Sequence, residues 1–190
     1  SNLNHLPINL ISEKLKDNYD NVFVFDCGNS ERLGSLEDLA LKSDNVIVVD
    51  HHINPSFGNV QIIDPTAAST TQVLYREIVA EGIHIDTSIA NCLMTGLITD
   101  TGRFQYSNTN YEVFQIASKL MESGAELTSI SDNIYGSIPM NAMKLQSKVL
   151  NRISLFEEEE LVVSYVLQED YVNYNIESSE TDFLIDSIRL

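Results

Sequence analysis

Two five-residue runs, NVFVF (Asn21–Phe25) and NVIVV (Asn45–Val49), constrain what this chain can fold into more than any other feature. Each is short, uninterruptedly apolar and rich in β-branched or aromatic residues, the pattern of a strand covered on both faces. Between them SERLGSLEDLALKS sets Leu33, Leu36, Leu39 and Ala40 at helical spacing. The stretch therefore reads as one β-α-β unit, and its two strands read as parallel. A third strand is predicted at Asn59–Ile63, NVQII.

From Ala67 onward the period changes to that of helices. AASTTQVLYREIVAEG carries Val73, Leu74, Ile78 and Val79 on one stripe and stops at Gly82. DTSIANCLMTGLITD opens with Asp86 as N-cap and is apolar at Ile89, Leu93, Met94 and Leu97. Three further amphipathic segments follow, NYEVFQIASKLMESG, ELTSISDNIYGS and the longer MNAMKLQSKVLNRIS. Glu157–Glu160 then reads as a turn, LVVSYV as a strand, and the tail from Gln168 as a linker or a last helix. The expected class is α/β: a parallel sheet followed by several C-terminal helices.

Charge narrows the partners. Eleven Lys and Arg stand against 28 Asp and Glu, a net charge of −17, which repels a long polyanion and disfavours binding of extended nucleic acid. Carboxylates that converge on divalent cations can still handle a phosphorylated substrate. Two cysteines, Cys27 and Cys92, make no disulfide framework or cysteine-type zinc site, and no apolar run is long enough for a membrane span. A cytoplasmic compartment without membrane contact is expected. A single Cys27 reads as a small buried residue, His84 as a surface position between helices, and His5 is a weak candidate close to the start of the chain.

In a parallel sheet, ligands gather at the carboxyl ends of the strands. Asp26 follows the first strand; Asp50, His51 and His52 follow the second. As parallel neighbours the two strands would open these side chains onto one sheet edge. A lone Asp after a strand is more often a loop cap than a ligand, but Asp-His-His beside it shifts the balance. Oxygen and imidazole donors together suit Mn²⁺, with Mg²⁺ a poorer match for His. Alternation along an extended backbone would send His51 and His52 in opposite directions, one as ligand and one toward substrate. A third acid, Asp100 in GLITDTGRF, ends an apolar helix, where its charge opposes the helix dipole and calls for compensation. Arg103 could pair with Asp100 or meet a phosphate. Ser69, Thr70 and Thr71 could cap the following helix or face the same site, and capping is favoured.

The combination of VVDHH, an upstream strand-ending Asp in FDCGN and a downstream GLITDTGRF, in that order and with similar gaps, resembles the DHH phosphoesterase superfamily. Within it the chain is similar to the DHH/DHHA1 branch, which holds bacterial nanoRNase/pAp phosphatases and exopolyphosphatase-related proteins. The resemblance implies a metal-dependent hydrolysis of phosphomonoesters or phosphodiesters by a metal-bound water. It implies that Asp26 bridges two Mn²⁺ or Mg²⁺ ions, that His51 and Asp100 ligate one of them, that His52 contacts the scissile phosphate and that Asp50 supports the histidines. Substrates would be short RNA or DNA oligonucleotides or pAp-type nucleotides, and a homodimer is one assembly open to it. Pyrophosphate, polyphosphate or a cyclic dinucleotide is the alternative substrate class. A non-catalytic α/β module with an acidic docking face is the alternative of another kind.

The family's first motif, His-x-x-x-Asp-x-Asp, has no match before Asp26: His5, Asp17 and Asp20 stand at the wrong spacing. The glycine-rich DHHA1 domain is also not found, and the chain opens on Ser-Asn rather than Met. On this reading residues 1–155 form a DHH domain truncated at its N-terminus, and 156–190 a linker toward DHHA1. With about half the ligand set, weak metal occupancy and little hydrolysis are expected of this piece alone.

Overall fold

In a computed structural model of the chain, residues 17–53, 55–136, 138–178, 181 and 183–188 are described; His5 lies outside them. They fall into two compact units that meet at Ile134 and Tyr135.

The first unit is built on three parallel strands, β1 (Asn21–Phe25), β2 (Asn45–Asp50) and β3 (Val60–Ile63), in that spatial order. The register sets Phe25 against Val49 and Asp50 against Ile63. Central β2 is buried from Val46 to Asp50, as its unbroken apolar run requires. One of its faces packs Val46 and Val48 against Val24, Cys27 and Phe57; the other packs Ile47 and Val49 against Ala67 and Val73. Gly58, at φ 89, lets the chain pass close over Val48: a Cβ there would lie 2.5 Å from Val48 Cγ2.

The crossover expected as one helix is broken. A 3-10 segment over Ser30–Leu36 is kinked at Gly34, and α1 is only Glu37–Lys42. Gly34 takes φ 56, outside helical geometry, so the leucine periodicity continues through a bend. Helices α2 (Thr70–Ala80), α3 (Thr87–Asp100) and α4 (Tyr111–Glu122) follow, capped by the side chains of Ser69, Asp86 and Asn110. α5 (Leu127–Tyr135) ends at the boundary between the units. Arg76 on α2 holds Asp64, just past β3, and makes a two-pronged pair with Glu112 on α4, at 2.7 and 2.6 Å.

The second unit contains α6 (Met140–Leu150), the antiparallel pair β4 (Ser154–Phe156) and β5 (Leu161–Val163), α7 (Gln168–Tyr174) and α8 (Phe183–Ile188). The helix predicted to run on to Ser154 stops at Leu150; a turn follows, and Ser154 opens β4, which periodicity alone did not reveal. The strand predicted over LVVSYV is three residues long, closed by the Glu157–Glu160 turn. The stretch 156–190 carries β5, α7 and α8 and supplies Ile176 and Leu184 to a core with Ala142, Leu145 and Val149. Buried Asp170 knits this unit together through Arg152, Lys148 at 2.7 Å and the Leu167 backbone N–H at 2.8 Å.

Candidate metal centre

The parallel register carries two carboxylates to the same sheet edge. Asp26 continues β1, its N–H donating to the Val49 carbonyl at 3.1 Å, and so stands beside Asp50, the last residue of β2. Asp26 takes φ 57, a left-handed conformation that Asp tolerates better than most residues. That turn ends the strand and leaves the carboxylate half-exposed on the edge.

Asp50 is wholly buried. Its Oδ1 accepts from the His51 N–H at 2.6 Å, the His52 N–H at 3.0 Å and the His52 ring Nδ1 at 2.7 Å. Burial pushes this carboxyl up, yet these hydrogen bonds outweigh it and hold the group below its ordinary range. An ionised carboxylate only accepts, so His52 carries its proton on Nδ1 and turns Nε2 outward. The histidines do not diverge as strand alternation predicts. β2 ends at Asp50 and both histidines lie in a bend, so their rings meet edge to face, with centroids 4.5 Å apart.

His51 is the more enclosed of the pair. Its Nδ1 lies 3.3 Å from the Ala67 carbonyl, which can only accept, so Nδ1 is the protonated nitrogen. The lone pair of Nε2 then faces Asp26 Oδ1 at 3.7 Å and Asp100 Oδ2 at 3.8 Å. Those separations are too long for hydrogen bonds and are the size of the gap between ligand atoms that share one ion. Asp26, Asp50, His51 and His52 each offer a donor atom within 4.8 Å of the others. Asp100, the last residue of α3, joins them through His51. Burial lifts the Asp100 carboxyl above its ordinary range; the charge of Asp26 adds to this, and His51, His52 and Thr99 offset part. Asp50 Oδ2 is buried and has no hydrogen-bond partner among the described residues. A divalent cation would satisfy the clustered carboxylates and the poised imidazole together, so the donor set of oxygens and one imidazole nitrogen fits a divalent metal.

The sequence grouped Asp26, Asp50, His51, His52 and Asp100, and the fold brings them together. Arg103 stands three residues past Asp100, exposed, in a left-handed stretch at φ 61. Ser69 caps α2 by accepting from the Gln72 N–H at 3.1 Å, as expected. Thr70, also favoured as a cap, instead donates to Asp26 Oδ1 at 2.8 Å. Asn108, which no motif singled out, donates to the carbonyls of Asp100 at 3.0 Å and Ala68 at 3.2 Å. One signal for Thr70 was present: with Ser69 on the cap, the next hydroxyl in the run is free for another acceptor. Cys27 is buried, its thiol on the Asn29 carbonyl. Among the described residues no helix is long and apolar enough to cross a membrane.

The N-terminal domain of the DHH family matches residues 3–97, half of the chain. The chain belongs to the DHH family. It is 35% identical over 126 residues to the bifunctional oligoribonuclease and PAP phosphatase NrnA of Thermus thermophilus, covering 66% of this chain and 38% of that protein. The Bacillus subtilis protein of the same name is 25% identical over 173 residues, covering 88% and 53%. An exopolyphosphatase-related protein from Bacteroides fragilis superposes with a TM-score of 0.81 at 24% identity, covering 88% of this chain and 50% of that one. That likeness speaks for the α/β fold. The chain spans about half or less of the length of these relatives.

Proposed function

We propose that the full-length protein is a metal-dependent phosphoesterase, a cytoplasmic hydrolase of short RNA or DNA oligonucleotides or of pAp-type nucleotides. The observation that carries this reading is the placement of His51 Nε2, its partner nitrogen tied to the Ala67 carbonyl, between the Asp26 and Asp100 carboxylates. The NrnA relatives supply the substrate class.

Asp26, His51 and Asp100 would hold the metal, Mn²⁺ or Mg²⁺, with two ions per site in the whole protein. When bound, the ions supply positive charge at the phosphoryl group and a nucleophile at neutral pH. His52 keeps Nδ1–H on Asp50 and presents Nε2, on a half-exposed ring, to a phosphoryl oxygen; as imidazolium it donates from that atom. Asp50 fixes the orientation of both histidines by accepting their backbone N–H groups and the His52 ring proton. Arg103, beyond Asp100, binds a phosphate of the substrate as a charge partner. The net charge of −17 favours small substrates over long polyanions.

The test is product release by the full-length protein with Mn²⁺, offered pAp, a short oligoribonucleotide and pyrophosphate in parallel. Turnover of pAp or the oligonucleotide, lost in His52→Ala with the fold intact, is expected. A folded protein that turns over none of the three with Mn²⁺ or Mg²⁺ overturns the reading, and preference for pyrophosphate reassigns the substrate.

A further inference from the structure

The His51 ring, the Asp26 carboxylate and the backbone of Asp100 are each held by a group outside the trio, and these groups converge on one short segment, Ala67–Thr70, which leads into α2. The Ala67 carbonyl sets the His51 tautomer. Thr70, 5% exposed, gives its one hydroxyl proton to Asp26 Oδ1 at 2.8 Å and lies 3.5 Å from Asp50 Oδ1. Asp26 needs such a partner: its backbone is in the left-handed region and its side chain is half in solvent, so little else fixes its carboxylate.

Asp100 sits on another element, at the end of α3, where the last carbonyls of the helix have no partner within it. Asn108 fills that need. Its amide nitrogen spans the Asp100 and Ala68 carbonyls and so pins the end of α3 to the segment that holds His51 and Asp26. Two carbonyl acceptors fix which side of the amide faces them. The segment is itself held: Gln72 Oε1 accepts from the Ala68 N–H at 2.7 Å, and Ser69 and Gln72 are wholly buried.

We propose that Thr70 and Asn108 are positioning residues of the metal centre. Thr70 aims the Asp26 carboxylate, and Asn108 sets the separation of Asp100 from His51. The inference rests on the metal-centre reading and is tested by ion binding rather than turnover.

Mn²⁺ alone is titrated into the full-length protein, with free ion counted by electron paramagnetic resonance. Thr70→Val, of the same shape without the hydroxyl, is expected to bind about 10- to 100-fold more weakly, the usual loss for such a partner. Thr70→Ser restores most of the affinity. Asn108→Ala, at an exposed position, weakens binding in the same direction and stands in if Thr70→Val fails to fold. Melting without metal is expected to change little in either variant, while the stabilisation added by Mn²⁺ shrinks, which a merely structural role would not produce. In an Asp26→Ala background Thr70→Val adds nothing further. Wild-type affinity in both Thr70→Val and Asn108→Ala, or equal loss in Thr70→Val and Thr70→Ser, overturns the inference alone. No Mn²⁺ uptake by the wild type overturns the metal-centre reading, and this inference with it.

Discussion

Asparagine in place of Asp50 changes one buried atom type and almost no volume, so its cost reports the electrostatics of the site directly. The carboxylate oxygen Oδ1 accepts three hydrogen bonds, from two backbone N–H groups and the His52 ring. A bond to a charged acceptor contributes about 1.5–3 kcal/mol net and one to a neutral acceptor about 0.5–1.5, so each of the three weakens by roughly 1 kcal/mol. The new NH₂ group occupies the place of Oδ2, which has no hydrogen-bond partner among the described residues. An unsatisfied buried donor adds about 1–3 kcal/mol, and relief of burying a neutral group in place of a charge offsets a similar amount. The net loss is about 3 kcal/mol, or roughly 6–12 °C in melting temperature for a chain of this size. The His52 ring, no longer held by a charge, loses its fixed orientation, and turnover in the full-length protein drops by about 10- to 100-fold. Thermal unfolding and phosphate release from pAp measure the two effects. A variant that melts within a degree of wild type, with unchanged turnover, would refute the view that Asp50 organises the histidines.

Other outcomes follow from the same packing. Gly96 on α3 touches α2, and a Cβ there would lie 2.3 Å from Thr71 Cγ2; Gly96→Ala is expected to cost about 1–3 kcal/mol and to weaken Mn²⁺ binding by shifting Asp100, read by melting and titration. Arg152, then Lys148, hold the Asp170 carboxyl well below its ordinary value of 3.8. Its stabilisation is therefore complete above about pH 4 and is lost as pH falls through the depressed value, so Asp170→Asn should lower stability at neutral pH and narrow the gap to wild type in acid. Arg76→Lys keeps the charge but loses the fork that grips Glu112 and Asp64; chemical denaturation should show a loss of roughly 1 kcal/mol.

The half of the candidate site that sits on the strand ends was legible because it is local. A strand covered on both faces must be continuously apolar, so its end is marked by the first charged residue, and β1 and β2 were bounded by Asp26 and Asp50 on that ground alone. The same reasoning overreached at His51 and His52, where alternation was applied past the end of the strand. It also missed β4, whose three residues are too few to show a period against the helix before them.

What the chain determined by itself is the three strands of the parallel sheet, the run of helices from α2 onward and the identity of the acids and imidazoles at one sheet edge, because apolar runs and caps act over a few residues. Only the tertiary structure decided which groups aim them. Thr70 reaches Asp26 across 44 residues and Asn108 joins Ala68 across 40. Hydrogen bonds of that span depend on how α2 and α3 dock on the sheet, and that docking is set by buried apolar faces rather than by any spacing along the chain.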